Sequence, residues 1–206
     1  MGTENLMTFI ITALFFIMTP GIDTVFVLNK SISQGAKSGF YATLGINSGV
    51  FVHTFFAALG LSILIANSTF ALTFIKILGA GYLICIGLFK FKNKKEFFSA
   101  NQTKVRISSK NDFWSGFLTN TLNPKVALFF LAFFPQFIEA SQISNPIPFF
   151  FLGTIYALIG VVWYLILSLF ASAFSQNLKN NPQSSYWLNK LSGLVFIVMG
   201  MRIAFT

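Results

Sequence analysis

Reactive side chains are scarce in this 206-residue chain, which has one cysteine, one histidine, five acidic residues and six prolines. A single cysteine, Cys85, excludes an intrachain disulfide and leaves the redox compartment open; its apolar neighbours mark it as a packing residue. So few His, Cys and carboxylate groups leave a membrane metal hydrolase without ligands. Export of a metal cation would want more carboxylate or thiolate than Asp23 and Cys85 supply. No basic residue precedes Lys30, so the first apolar stretch lacks the positive flank of a cleaved leader and reads as a retained span. No catalytic residue, metal ligand or cofactor is assigned.

What the chain has in abundance is apolar surface: 55% of its residues are hydrophobic, only 9% are charged, and 28 are phenylalanine. With a mean hydropathy of +0.73, this is the balance of a chain dissolved in a lipid bilayer. Six helices of about 20 residues with short connections use up the length, so the expected fold is all-α, a polytopic membrane protein with six transmembrane helices in one transporter domain, 1–206. The spans are placed at about Leu6 to Asn29, Ser38 to Ala66, Leu72 to Phe91, Phe113 to Ile138, Pro148 to Phe174 and Trp187 to Phe205.

The formal charge of +9 does not point to nucleic acid, because the basic residues mark one side of a membrane. Lys30 and Lys37 fall between spans one and two; Lys90, Lys92, Lys94, Lys95, Lys104, Arg106 and Lys110 fall between three and four; Lys179 and Lys190 fall between five and six. The other two connections carry none. The positive-inside bias therefore places both termini outside the cytoplasm, with Arg202 as a minor exception. Residues 92–112 form a basic cytoplasmic loop whose charge suits anionic lipid but needs no role beyond topology.

Two of the prolines interrupt spans. Thr19-Pro20-Gly21-Ile22-Asp23 sets a helix breaker, a glycine and a carboxylate roughly 21 Å along the first apolar run at about 1.5 Å per residue. Carbonyls before such a break lose their partners, and hydrocarbon cannot replace them. Asn123-Pro124-Lys125 repeats the pattern in span four, again with an ionisable residue beside the proline. Pro20 lies about 15 Å from Lys30 and Pro124 about 16 Å from Phe113, so the breaks share a depth. A weak internal match also pairs Lys76-Ile77-Leu78-Gly79-Ala80-Gly81-Tyr82 with Lys190-Leu191-Ser192-Gly193-Leu194-Val195-Phe196. The chain thus divides into repeat one (1–91), the loop (92–112) and repeat two (113–206), and three spans per repeat make the second inverted relative to the first. Inverted repeats with paired broken helices are a transporter architecture, the substrate lying at the breaks.

Span two carries Gly45, Gly49, His53 and Ala57 at four-residue intervals, a stripe suited to close helix packing, with Gly79 a further packing glycine in span three. Thr43, Asn47 and Thr54 make an adjacent face polar. Asp23, His53 and Lys125 are the deepest ionisable residues, and each is costly unless paired, hydrated or bound to a ligand. Asp23 reads either as a cap on the half-helix restarting after Gly21 or as a group handling substrate or protons. Lys125 reads as a counter-charge or as a contact for an anionic substrate group, and His53 as a packing residue or a proton relay. The candidate substrate-binding set is Pro20, Gly21, Asp23, Asn123, Pro124 and Lys125; Asp23 and His53 are the proton-coupling candidates. Phe129 and Phe130 are expected to line an apolar side-chain pocket.

At these residues the chain resembles the lysine exporter (LysE/RhtB) family, and within it the RhtB branch of homoserine, threonine and neutral amino-acid exporters. The resemblance rests on Thr19-Pro20-Gly21 with Asp23, the Gly39 to His53 run, the Leu78 to Gly87 run, and Gly116-Phe117-Leu118 leading through Asn123-Pro124-Lys125 to Pro135-Gln136-Phe137. Ile22 stands where the family usually has a second proline. The resemblance implies a multi-pass exporter of amino acids or their derivatives in the bacterial inner membrane, a secondary transporter or antiporter driven by the proton gradient, whose partners are the amino-acid substrate and protons, and which assembles as a homo-oligomer. The alternatives are an intramembrane enzyme, or an exporter of another small solute or of a metal cation. For the enzyme, Gly45-Ile46-Asn47-Ser48-Gly49 misses the rhomboid-protease Gly-x-Ser-Gly spacing by one residue. A channel would need a filter-like run, and none is visible.

Overall fold

The computed structural model describes residues 2–67 and 109–173, with helical positions scattered through 77–89 and 190–201. In chain order the elements are α1 (Leu6–Met18), α2 (Ile22–Gln34), α3 (Ala36–Asn67), α4 (Ser109–Thr121), α5 (Pro124–Leu128), a π-helical turn (Phe129–Phe133), two 3-10 turns (Phe134–Phe137 and Ala140–Gln142) and α6 (Pro146–Ala173). Among the described residues everything regular is helical, except for one bridge between Thr3 and Ile138.

The first span breaks where Pro20 stands: α1 and α2 meet at 55°. Thr19 ends α1 with its own hydroxyl, donating from Oγ1 to the Phe15 carbonyl at 2.7 Å. At the second break, α4 and the segment beginning at Pro124 meet at 47°. Asn123 is the N-cap there, its Oδ1 accepting from the Lys125 amide at 3.0 Å, and Pro124 occupies the first helical position, where no donor is needed. Beyond it the chain departs from the regular helix expected to Ile138. The ladder widens into a π turn and then tightens into a 3-10 turn containing Pro135, because proline cannot donate to the preceding carbonyls. α2 and α3 are joined at Gly35, whose φ of 89° is open to glycine and strained for other residues.

Helix α3 is the post of the assembly. A Cβ on Gly45 would collide with the Phe113 carbonyl, and one on Gly116 would lie 2.6 Å from the Ala42 carbonyl; α3 and α4 therefore touch backbone to backbone. On its other side Thr54 fills the notch at Gly153 and Asn47 the notch at Gly160, locking α3 to α6. Phe9, Phe16, Phe129, Phe130, Phe133, Phe134 and Phe149 are fully buried. Phe130 stacks on Phe134 at 4.3 Å, and Phe9 meets Phe134 edge-on at 5.5 Å, a close-packed aromatic core. Phe129 and Phe130 belong to it. Met7, Phe15, Leu122, Leu158 and Leu169 point outward, as lipid contact requires.

Among the described residues two helices, across Ala36–Leu59 and Pro146–Ala171, are long and apolar enough to cross a membrane, or up to four if each bent pair counts as one span. Much of spans three and six, Gly79 included, lies outside the described residues. Where they are described they touch. A Cβ on Gly87 would be 2.7 Å from the Gly193 carbonyl, and one on Gly200 2.8 Å from that of Ala80.

Candidate functional site

The two breaks meet in the interior, and two contacts join them. Lys125, beside the second break, donates from Nζ to the Phe16 and Thr19 carbonyls at 2.8 Å each. These carbonyls end α1, so the ammonium occupies the negative end of that helix dipole. It also lies 4.5 Å from the centre of the Phe16 ring, a cation–π geometry. Gly21 leaves room for the lysine stem, since a Cβ there would sit 3.2 Å from Lys125 Cδ. The second contact crosses the first: Asn120, in the last turn of α4, donates from Nδ2 to Asp23 Oδ2 at 2.8 Å. Asp23 is in the first turn of α2, the positive end of its dipole. Each buried charge thus rests on the helix end of opposite sign, which offsets part of the cost of holding it in the membrane.

His53 joins through the same asparagine. Its Nε2 lies 2.9 Å from the Asn120 carbonyl oxygen; a carbonyl only accepts, so the proton in this bond belongs to Nε2. The imidazole also lies over Phe130, with ring centroids 5.9 Å apart. Asp23 lies within electrostatic reach of both Lys125 and His53. Asp23, Asn120, Asn123, His53 and Lys125 are all buried.

Several polar atoms here have no hydrogen-bond partner of good geometry among the described residues: Asp23 Oδ1 and Asn123 Nδ2, on side chains that lie within interaction reach of one another, and Asn120 Oδ1 and Thr121 Oγ1 around the breaks, with Thr43 Oγ1, Asn47 Oδ1 and Trp163 Nε1 on α3 and α6. An unmade bond at a buried polar group costs about 1–3 kcal/mol. Four such atoms at two helix breaks, donor and acceptors together, form a surface on which a small polar molecule could satisfy both kinds.

Sequence reasoning singled out Asp23, His53, Asn123 and Lys125, and the structure brings them into one neighbourhood with Pro20, Gly21 and Pro124. It did not single out Asn120, which links two of them, nor Tyr156 and Tyr164 of α6. Both tyrosines are buried and lie within electrostatic reach of Asp23. A signal for them was present: Tyr156, Gly160, Trp163 and Tyr164 are spaced to share one helix face. Asn120 carried no such mark, being one polar residue in a run of three with Thr119 and Thr121.

The family model described as LysE type translocator matches residues 14–206. An uncharacterized membrane protein of Bacillus subtilis, YrhP, is 32% identical over 207 residues, covering 97% of this chain and 98% of its own. The leucine efflux protein of Klebsiella pneumoniae is 30% identical over 207 residues, covering 98% and 96%, and that of Salmonella typhimurium is 27% identical over 209 residues, covering 98% and 96%. No solved structure matches the chain. From near its start to its last residue, across both proline breaks, the chain belongs to the LysE type translocator family.

Proposed function

We propose that this protein exports amino acids, neutral ones of the RhtB kind among them, across the bacterial inner membrane. The observation that carries this reading is the meeting of the two breaks, where buried donors and acceptors stand unsatisfied beside one carboxylate and one ammonium. An α-amino acid presents the matching pair of charges, and a site that excludes water must satisfy both. Asp23 Oδ1 and Asn120 Oδ1 take its ammonium. Asn123 Nδ2 and Lys125 take its carboxylate, with Pro20, Gly21 and Pro124 keeping the backbone open around them. The leucine efflux activity named for the relatives is the same chemistry.

In this reading the chain crosses the membrane six times as two inverted repeats with both termini outside. It assembles as a homo-oligomer and exchanges substrate for protons. Protons reach Asp23 under the influence of His53, the histidine bound to the same asparagine. The test is efflux of a panel of labelled amino acids from vesicles containing the purified protein, with and without an imposed proton gradient. Gradient-stimulated release of a neutral aliphatic amino acid is expected. Equal release from empty vesicles for every amino acid overturns the proposal.

A further inference from the structure

The half-helices α2 and α4 are bonded at both ends, and only one of these bonds belongs to the substrate site. At the deep end stands the Asp23–Asn120 bond. At the other, Lys30 Nζ lies 2.6 Å from Asp112 Oδ1, and Ser38 donates from Oγ to Asp112 Oδ2 at 2.7 Å. Asp23 and Lys30 are about 10 Å apart along α2, and Asp112 and Asn120 are separated similarly along α4. The two pairs are therefore two rungs of one antiparallel ladder. A third contact closes the same end: Ser31 donates to Ser168 Oγ at 2.8 Å, and both hydroxyls lie where a Cβ on Gly39 would fall.

Asp112 is not an ordinary surface acid. Its side chain is 2% exposed while that of Lys30 is 12% exposed. A buried pair gains little net stability, because desolvation offsets its attraction. Near water the same balance has a use, since parting the pair returns each charge to hydration and costs little overall. The glycine contacts between α3 and α4, at Gly45 and Gly116, face backbone and involve no charged side chain. A permanent seal would need none.

We propose that Lys30, Asp112 and Ser38 are the inner gate of the transport site: the mouth on the Lys30 side opens when α2 and α4 part at this rung, exposing Asp23. The helix break at Asn123 gives α4 the hinge for that movement. The gate rests on the export reading for its purpose, but its opening is measurable without transport.

Val27 is fully buried and lies on α2 between the two rungs. In a Cys85→Ser background, Val27→Cys should react slowly with a membrane-impermeant maleimide applied to the Lys30 side of sealed vesicles. Asp112→Asn should raise that rate by about tenfold, the effect of a shift in open population of the same size, and so should Lys30→Met. The exchange Lys30→Asp with Asp112→Lys should return it toward the slow value. Equal labelling in the parent and in whichever single variant folds overturns the gate, as does a charge exchange that labels as fast as the single variants. Failure of efflux with a gated labelling pattern would overturn the export reading alone.

Discussion

Asn120 reaches across the interior to donate to Asp23 at 2.8 Å, bonding the end of one half-helix to the beginning of another. The same residue accepts from His53 through its carbonyl. One uncharged side chain therefore sets the position of the carboxylate and, by its backbone, that of the imidazole.

Replacing Asn120 by Ala leaves Asp23 Oδ2 without its donor. The expected loss is about 1–3 kcal/mol of stability, read as a lower unfolding temperature of the detergent-purified protein. Asn120→Asp should be worse, since it sets a second carboxylate against the first. An unchanged temperature in both would show that Asp23 finds another partner.

Asp23→Asn and Lys125→Met should each weaken binding of a labelled neutral amino acid by at least about tenfold, the effect of losing one charge-assisted contact. The double variant should stay weak if both charges serve the ligand. Return to parental affinity would mean that the two groups neutralise only each other.

His53→Ala should slow gradient-driven export by about a hundredfold, the lower end of what a positioned proton-handling group contributes, while exchange of substrate across the membrane persists. Export at the parental rate across the pH range would leave His53 with only its bond to Asn120.

Reporter fusions check the orientation. A reporter joined after Lys95 should be active as a cytoplasmic domain and one joined after Ser141 as an external domain, following the distribution of basic residues. The reverse pattern would invert the molecule and place the Lys30–Asp112 pair on the outer side.

Gly116→Leu should destabilise the α3–α4 contact by about 1–3 kcal/mol, the usual cost of overfilling a tight interface, because its side chain would run into the backbone of Ala42 and Ile46. Thermal unfolding should show this, and Ala should cost less than Leu.

The breaks, their charges and their common depth were legible because proline, glycine and ionisable residues stand out in an apolar sequence. Bends of 55° and 47° fall at the two prolines so marked. The contact partners were not legible. Lys125 binds carbonyls that any residues could have supplied, so no side-chain pattern advertises them. Phe129 and Phe130 read from the sequence as pocket lining, and packing against Phe133, Phe134 and Tyr156 places them in the core instead. Asp112 read as the tail of a polar loop, because burial of a residue beside charged neighbours depends on a distant serine and lysine.

The notches along the contacts of α3 also limit how this sequence can drift over generations. Gly45 and Gly116 face backbone atoms, which cannot be trimmed by mutation, whereas Gly153 and Gly160 face the side chains of Thr54 and Asn47, which can. The α4 side of the helix should therefore be frozen position by position. The α6 side can change in pairs, a larger residue at 153 or 160 arriving together with a smaller one at 54 or 47.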